Sequence, residues 1–200
     1  MMFSKKKKIV FLTGTRADYG KLKPLITAIK NNKKFQPIII ITGMHLKKKY
    51  GSTYIQIEND FKNIKIYKIN NYKKDDNMDI ILSNTIKYFG RTLKNINPDL
   101  VVIHGDRVET LAATIHCNFN NILTCHIEGG EVSGTVDESI RHATTKLSHL
   151  HFVSNLKAKN ILMRMGEIKK NIYIIGSPEV DIMIGKNLPS KIKVKNRYDI

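Results

Sequence analysis

The segment His126-Ile127-Glu128-Gly129-Gly130-Glu131-Val132-Ser133-Gly134 sets two carboxylates among three glycines. Glycine reaches backbone angles closed to other residues, so such a loop can hold a carboxylate in an unusual place beside a ligand. A carboxylate partly desolvated there can have its pKa raised towards neutrality and act as an acid or base. Asp137, Glu138, Arg141 and His142 follow on the next helical stretch. Glu138 and Arg141 are three residues apart, so they share a helix face, and a surface ion pair explains them equally well.

Two further loops carry related chemistry. Gly14-Thr15-Arg16-Ala17-Asp18-Tyr19-Gly20 joins a strand to a helix. Small residues admit a ligand close to the backbone, the helix N-terminus favours an anion, and Arg16 adds a fork for phosphate oxygens. The glycine spacing fits neither the Walker loop nor the dinucleotide fingerprint. A tight turn with Asp18 capping the helix accounts for the same residues, and both readings can hold together. His104-Gly105-Asp106-Arg107 places a carboxylate and a guanidinium at another strand end. Arg107 offers a second phosphate contact there; the alternative is a helix cap by Asp106 with Arg107 exposed. Several carboxylates with two arginines suit proton transfer beside a bound diphosphate. No spacing of His, Cys or Asp suggests a metal site, and no serine elbow or cysteine nucleophile is present. His149 and His151 flank an apolar turn and read as structural.

The elements that must position these loops alternate between strand and helix. Strands are expected at Ile9–Leu12, Pro37–Ile41, 64–69, Asp99–Ile103, Ile122–Ile127, Leu150–Val153 and Ile172–Ile175. Between them, Leu22, Leu25, Ile26 and Ile29 recur at helical spacing, and 52–59, 77–96, 108–119, 136–149 and 155–165 also read as helices. That alternation predicts an α/β fold, a Rossmann-like doubly wound parallel sheet with helices on both faces. Ligands bind such sheets at the carboxyl ends of the strands. Five loops converge there: Thr13–Gly20, Gly43-Met44-His45, His104–Arg107, His126–Gly134 and Gly176-Ser177-Pro178. The stretch from Lys186 to Ile200 is polar, contains Pro189 and reads as a linker.

Composition narrows the class. The chain has 200 residues, 42% hydrophobic and 26% charged, which is globular rather than disordered. No run of 18 apolar residues is present, so no membrane partner is expected. Lys5–Lys8 precede a short apolar run, but no small-residue cleavage site follows, so a buried strand fits better than a signal peptide. Cys117 and Cys125 form no framework and suit a reduced, cytoplasmic setting. The net charge of +17 comes from 28 lysines and six arginines against 17 acids. The lysines lie in scattered pairs and short runs without interleaved aromatics, so a solvated surface explains them and no nucleic-acid partner is expected. Against that background, residues 104–138 hold six acids and a single base, Arg107.

The loops together resemble the UDP-N-acetylglucosamine 2-epimerase family, in its hydrolysing branch for sialic-acid and legionaminic-acid sugars. The matching pieces are GTRADYGKLKPLI (14–26), GMHL (43–46), YGSTYIQIEND (50–60), PDLVVIHGDRVETL (98–111), HIEGGEVSGTVDESIRHATTKLSHLHF (126–152) and GSPEVD (176–181). The resemblance implies that residues 1–185 are the N-terminal Rossmann-like half of a GT-B-like two-domain fold. Residues 186–200 would then be the interdomain linker and truncated start of a second domain. It implies that UDP-N-acetylglucosamine (UDP-GlcNAc) loses UDP by elimination and that water then adds, releasing N-acetylmannosamine. By resemblance, Asp106, Glu128 and Glu138 match the family's acidic catalytic residues, and Arg16, Gly20, His45 and Arg107 match substrate-binding positions. No cofactor or metal is implied. Family members commonly form dimers, and a separately encoded second half is a further candidate partner. An epimerase for a diacetylated bacillosamine-type nucleotide sugar and a non-catalytic remnant remain as alternatives.

Overall fold

A strand buried on both faces needs apolar side chains at every position rather than every second one. The computed structural model describes residues 5–73, 76–184, 190–192 and 195, and its central strands have that character. The chain runs β1 (Lys7–Thr13), α1 (Arg16–Lys30), β2 (Phe35–Ile41), α2 (Tyr54–Asp60), β3 (Lys65–Lys68), α3 (Met78–Ile96), β4 (Leu100–His104) and α4 (Val108–Phe119). It continues through β5 (Thr124–Ile127), α5 (Val136–Lys146), β6 (Leu150–Val153), α6 (Leu156–Arg164), β7 (Ile172–Ile174) and α7 (Pro178–Ile184). In β1, Ile9 and Phe11 join one apolar cluster with Tyr19, Leu22 and Ile26 of α1. Val10 and Leu12 point the other way, into a cluster with Phe89 and Leu93 of α3 and Ala113 of α4. The β-branched run Ile38–Ile41 divides in the same manner between the two layers.

All seven strands are parallel, in the order β3-β2-β1-β4-β5-β6-β7. Val10 sits at the centre, paired with Ile38 of β2 on one side and Val101 of β4 on the other. Chain direction across the sheet reverses between β1 and β4, and a crevice opens at such a point beyond the strand ends. The expected Rossmann-like α/β fold is therefore present, and every expected strand is found. Differences lie at the ends of elements. Residues Gly43–Leu46 and Lys48–Tyr50 wind into short 3-10 turns rather than an open loop. Helix α7 begins at Pro178, where a loop was expected, because proline suits the first turn of a helix. Helix α5 ends at Lys146 rather than 149. Pro24 lies inside α1 and leaves the Gly20 carbonyl without its helical donor. Most of the linker expected at 186–200 lies outside the described residues.

Candidate functional site

The loop after β1 is fixed by a single carboxylate. Thr15 caps α1, and Asp18 completes a capping box with it. Asp18 Oδ1 accepts from the Thr13 hydroxyl at 2.7 Å and the Thr15 amide at 3.0 Å, and Oδ2 accepts from the Gly14 amide at 2.9 Å. Since the Thr13 hydroxyl donates to Asp18, it accepts from His45 Nε2 at 2.9 Å, and His45 Nδ1 then accepts from the Thr53 hydroxyl at 2.6 Å. Burial depresses the pKa of His45, although the nearby Asp18 opposes this, so a neutral ring fits the network. His45 is 0% exposed. Both ring nitrogens have partners within the fold, Thr13 and Thr53, so the ring braces the first loop. Asp18 has the capping role considered for it.

The loops after β4 and β5 need left-handed backbone. Gly105 has φ of +76°, and Glu128, a residue with a side chain, has φ of +64°. That conformation costs a non-glycine residue about 1 kcal/mol or more, and such strain gathers at functional sites. Behind the two loops, His126 is wholly buried. One ring nitrogen lies 2.8 Å from the Gly105 carbonyl and the other 3.1 Å from the Thr145 hydroxyl. Burial pushes its pKa down to about 3, so it holds Gly105 as a neutral ring.

Between the three loops lies a cleft of about 340 Å³, lined among others by Asp18, Lys21, His104, Asp106, Glu128 and Arg141. Glu128 is 9% exposed. Its Oε2 accepts from the Lys21 ammonium at 2.7 Å. His104 Nε2 lies 3.0 Å from the same oxygen, but is not aligned for a full hydrogen bond and has no other partner among the described residues. Burial opposes ionisation of Glu128, yet His104 and Lys21 outweigh it and hold the carboxyl down at about 2. Desolvation alone would raise this carboxyl, but the His104 ring and the Lys21 ammonium beside it turn the shift downward. Lys21 also reaches Glu179 of α7 at 3.4 Å; burial works against its charge, but the two carboxylates raise its pKa.

Asp106 pairs with Arg141, whose other guanidinium nitrogen donates to the Glu131 carbonyl at 2.8 Å. Arg141 is thus not the surface partner of Glu138. Glu138 lies away from the cleft and accepts from the Ser133 and Gly134 amides, each at 2.7 Å, which lowers its pKa. It shapes the glycine loop, with His142 Nε2 at 3.6 Å one turn along α5. Arg107 lines the cleft half-buried and reaches Glu109 at 3.4 Å. Arg16 is exposed on the first turn of α1, between Thr15 and Ala17 of the cleft wall. Gly20 is half-buried one turn further on and is not part of that wall. Lys21, His104 and Arg141 join the site only in the folded chain. Each stands inside a motif already singled out, but only the folded chain shows which carboxylate it meets.

Chemically, the cleft sets carboxylates from separate loops against cations, Glu128 against Lys21 and Asp106 against Arg141. It can take a proton at one point and stabilise a developing anion at another. Among the described residues no group of three or more His, Cys, Asp or Glu could hold a metal ion, and no helix is long and apolar enough to cross a membrane. Fold and site define a doubly wound, Rossmann-like domain with an acid–base cleft at its switch point.

The sequence pattern of the UDP-N-acetylglucosamine 2-epimerase family matches residues 27–200, and the chain belongs to that family. It is 47% identical over 195 residues to a UDP-N-acetylglucosamine 2-epimerase of Neisseria meningitidis serogroup B, covering 97% of this chain and 51% of that protein. It is 36% identical over 194 residues to the hydrolyzing UDP-N,N'-diacetylbacillosamine 2-epimerase of Legionella pneumophila, covering 96% of this chain and 52% of that protein. The crystal structure of a UDP-GlcNAc 2-epimerase from Neisseria meningitidis bound to UDP-GlcNAc superposes with a TM-score of 0.79 at 26% identity, over 88% of this chain and 48% of that one. The chain thus spans about half the length of the curated relatives it matches. Its fold is that expected of one half of a GT-B-like enzyme.

Proposed function

We propose that this chain forms the sugar-side wall of a hydrolysing UDP-GlcNAc 2-epimerase, which converts UDP-GlcNAc and water to N-acetylmannosamine and UDP for sialic-acid-type sugars. One arrangement carries this: ionised Glu128, paired with Lys21, shares a cleft with Asp106 and Arg107. In the first step a carboxylate takes the C2 proton. The C–H electrons form the C1=C2 bond, and the C1–O bond breaks with its electrons leaving on UDP. In the second step water oxygen bonds to C1, and a proton returns to C2 on the opposite face, inverting that centre. Asp106 and Glu128 handle the protons, Lys21 and Arg107 face the departing diphosphate, with Arg16 at the rim, and Glu138 shapes the loop. Residues 1–185 would supply one wall, and a second Rossmann-like half, on the same or a separate chain, the other. A nucleotide-sugar substrate suits the cytoplasm, and the complete enzyme would pair as a dimer.

A second reading, turnover of a diacetylated bacillosamine-type nucleotide sugar, is favoured by the Legionella relative. Incubating UDP-GlcNAc with the complete enzyme, and assaying UDP and N-acetylmannosamine by chromatography, separates the two. Release of both products, lost in Asp106→Asn and Glu128→Gln, is expected. Intact UDP-GlcNAc alongside turnover of the diacetylated sugar would favour the second reading, and no turnover of either would remove both.

A further inference from the structure

Beside the reaction cleft lies a second cavity of about 420 Å³. Asp106 and Arg107 line both spaces. The far side of the second cavity is formed by Met44, Tyr50, Tyr72, Ile81 and Ile140. It therefore combines apolar surface with two phenols, a lining unlike that of the cleft. The segments that carry Met44 and Tyr72 are fixed by buried contacts behind the lining. Asn71 is 1% exposed, donates to the Thr85 hydroxyl at 2.9 Å and accepts from the Gly43 amide at 3.2 Å. Next to it, the Lys47 ammonium sits 4.0 Å from the centroid of the Tyr72 ring and donates to the Tyr72 carbonyl at 2.8 Å. These contacts tie the loops after β2 and β3 together and fix the phenol at the cavity wall.

The charges exclude one class of occupant. Asp106, Glu109 and Asp137 line the cavity against the single guanidinium of Arg107. A diphosphate or a second nucleotide would meet more carboxylates than cations, at a cost in Coulomb energy and desolvation. A neutral group with an apolar end and an amide fits the lining better. In the reaction proposed above, the carbon that loses its proton faces the carboxylates of the cleft. Its nitrogen substituent is one bond away, and the cleft adjoins the second cavity at Asp106 and Arg107. We propose that this cavity is the compartment for the N-acyl arm at C2 of the amino sugar, with Met44, Tyr72 and Ile81 setting the length of acyl chain accepted. This rests on the 2-epimerase reading and adds a specificity site to it. The cavity exceeds the needs of an acetyl group, so longer neutral arms fit.

The test compares UDP-GlcNAc with its N-butanoyl analogue in the complete enzyme, wild type and Ile81→Phe. Wild type should turn over the two within about tenfold of each other. Ile81→Phe should lower the butanoyl-to-acetyl ratio of kcat/KM by about tenfold or more, the scale set by one or two methylenes in an apolar pocket. UDP affinity should not change. Ile81 is half-buried on a helix surface, and Met44→Phe in the facing loop repeats the test if that variant folds poorly. An unchanged ratio in both variants overturns the proposal, as does a parallel loss of UDP affinity, which would place the nucleotide in the cavity. Saturation-transfer NMR with UDP-GlcNAc gives an answer without turnover. The acyl methyl should be the most strongly saturated group in wild type and lose that rank in Ile81→Phe. If neither donor is turned over while the methyl signal behaves as stated, the reaction is wrong and the acyl site stands. A methyl signal no stronger than the uracil protons sinks the site alone.

Discussion

Replacing Glu128 by glutamine tests the electrostatics of the cleft without any need for turnover. The carboxyl is 9% exposed and ionises at about 2 in the fold against 4.5 in its ordinary state. At about 1.4 kcal/mol per pKa unit, that difference amounts to about 3 kcal/mol of stability. The folded carboxyl is the stronger acid, so this contribution is fully present above the ordinary value of 4.5 and is lost as the pH falls towards about 2. Roughly half of it should be gone by pH 3. Glu128→Gln removes the titration while keeping the shape of the side chain. Urea unfolding of both proteins at pH 6, 4 and 3 should show the stability gap narrowing by about 1–2 kcal/mol between the first and last of these. Other carboxylates titrate in the same range, but they do so in both proteins and cancel in the difference. A double-mutant cycle with Lys21→Met should then return a coupling of about 1–3 kcal/mol at pH 6. If wild type and Glu128→Gln lose stability in parallel, the ion pair does not govern the carboxylate.

Further expectations follow from the glycines, the buried histidine and the bridging arginine. Gly130 has φ of +83°, and an added Cβ would lie 2.5 Å from the Ala158 carbonyl oxygen, so Gly130→Ala should cost about 2–4 kcal/mol in thermal unfolding. Gly105 has φ of +76° but open space around that position, so Gly105→Ala should cost only about 1 kcal/mol. Equal losses at the two sites would refute the steric account. His126 is held neutral by burial, with its pKa at about 3 against 6.5, so its share of stability is complete above 6.5 and is lost as the pH falls. By pH 5 that loss should reach about 2 kcal/mol, and His126→Gln should show a shallower slope between pH 7 and 5 in urea titrations. Arg141→Lys keeps the charge but not the fork that joins Asp106 to the Glu131 carbonyl. It should lose about 1–2 kcal/mol and speed proteolytic cleavage within 131–135, whereas an unchanged cleavage rate would mean the loop is held by Glu138 alone.

The sheet was readable because a parallel strand buried on both faces writes itself as an uninterrupted apolar run, as Ile38–Ile41 does. The loops were readable because glycines and charged residues stand out at the ends of such runs. What stayed hidden depended on distance along the chain. Lys21 meets Glu128 across 107 positions, and no periodicity reports such a contact. Helical spacing pointed Arg141 towards Glu138, whereas its partner lies on the loop after β4. His45 stands beside a glycine at a strand end, as a ligand-binding histidine would, and only the packing of Thr13 and Thr53 around it shows it as a brace. The direction of the Glu128 shift is hidden for the same reason: burial is visible in an apolar neighbourhood, but a lysine arriving from α1 is not.

The arrangement of the loops has a consequence in time as well as in space. Asp106 and Glu128 stand directly beyond strands β4 and β5, whose residues from Val101 to His104 and from Thr124 to Ile127 are buried. Amides there exchange with solvent only when much of the sheet opens. Residues 131–137, by contrast, are exposed, and amides there other than those of Ser133 and Gly134, which donate to Glu138, should exchange far faster. The change from buried to exposed backbone therefore falls within three residues, between Glu128 and Glu131.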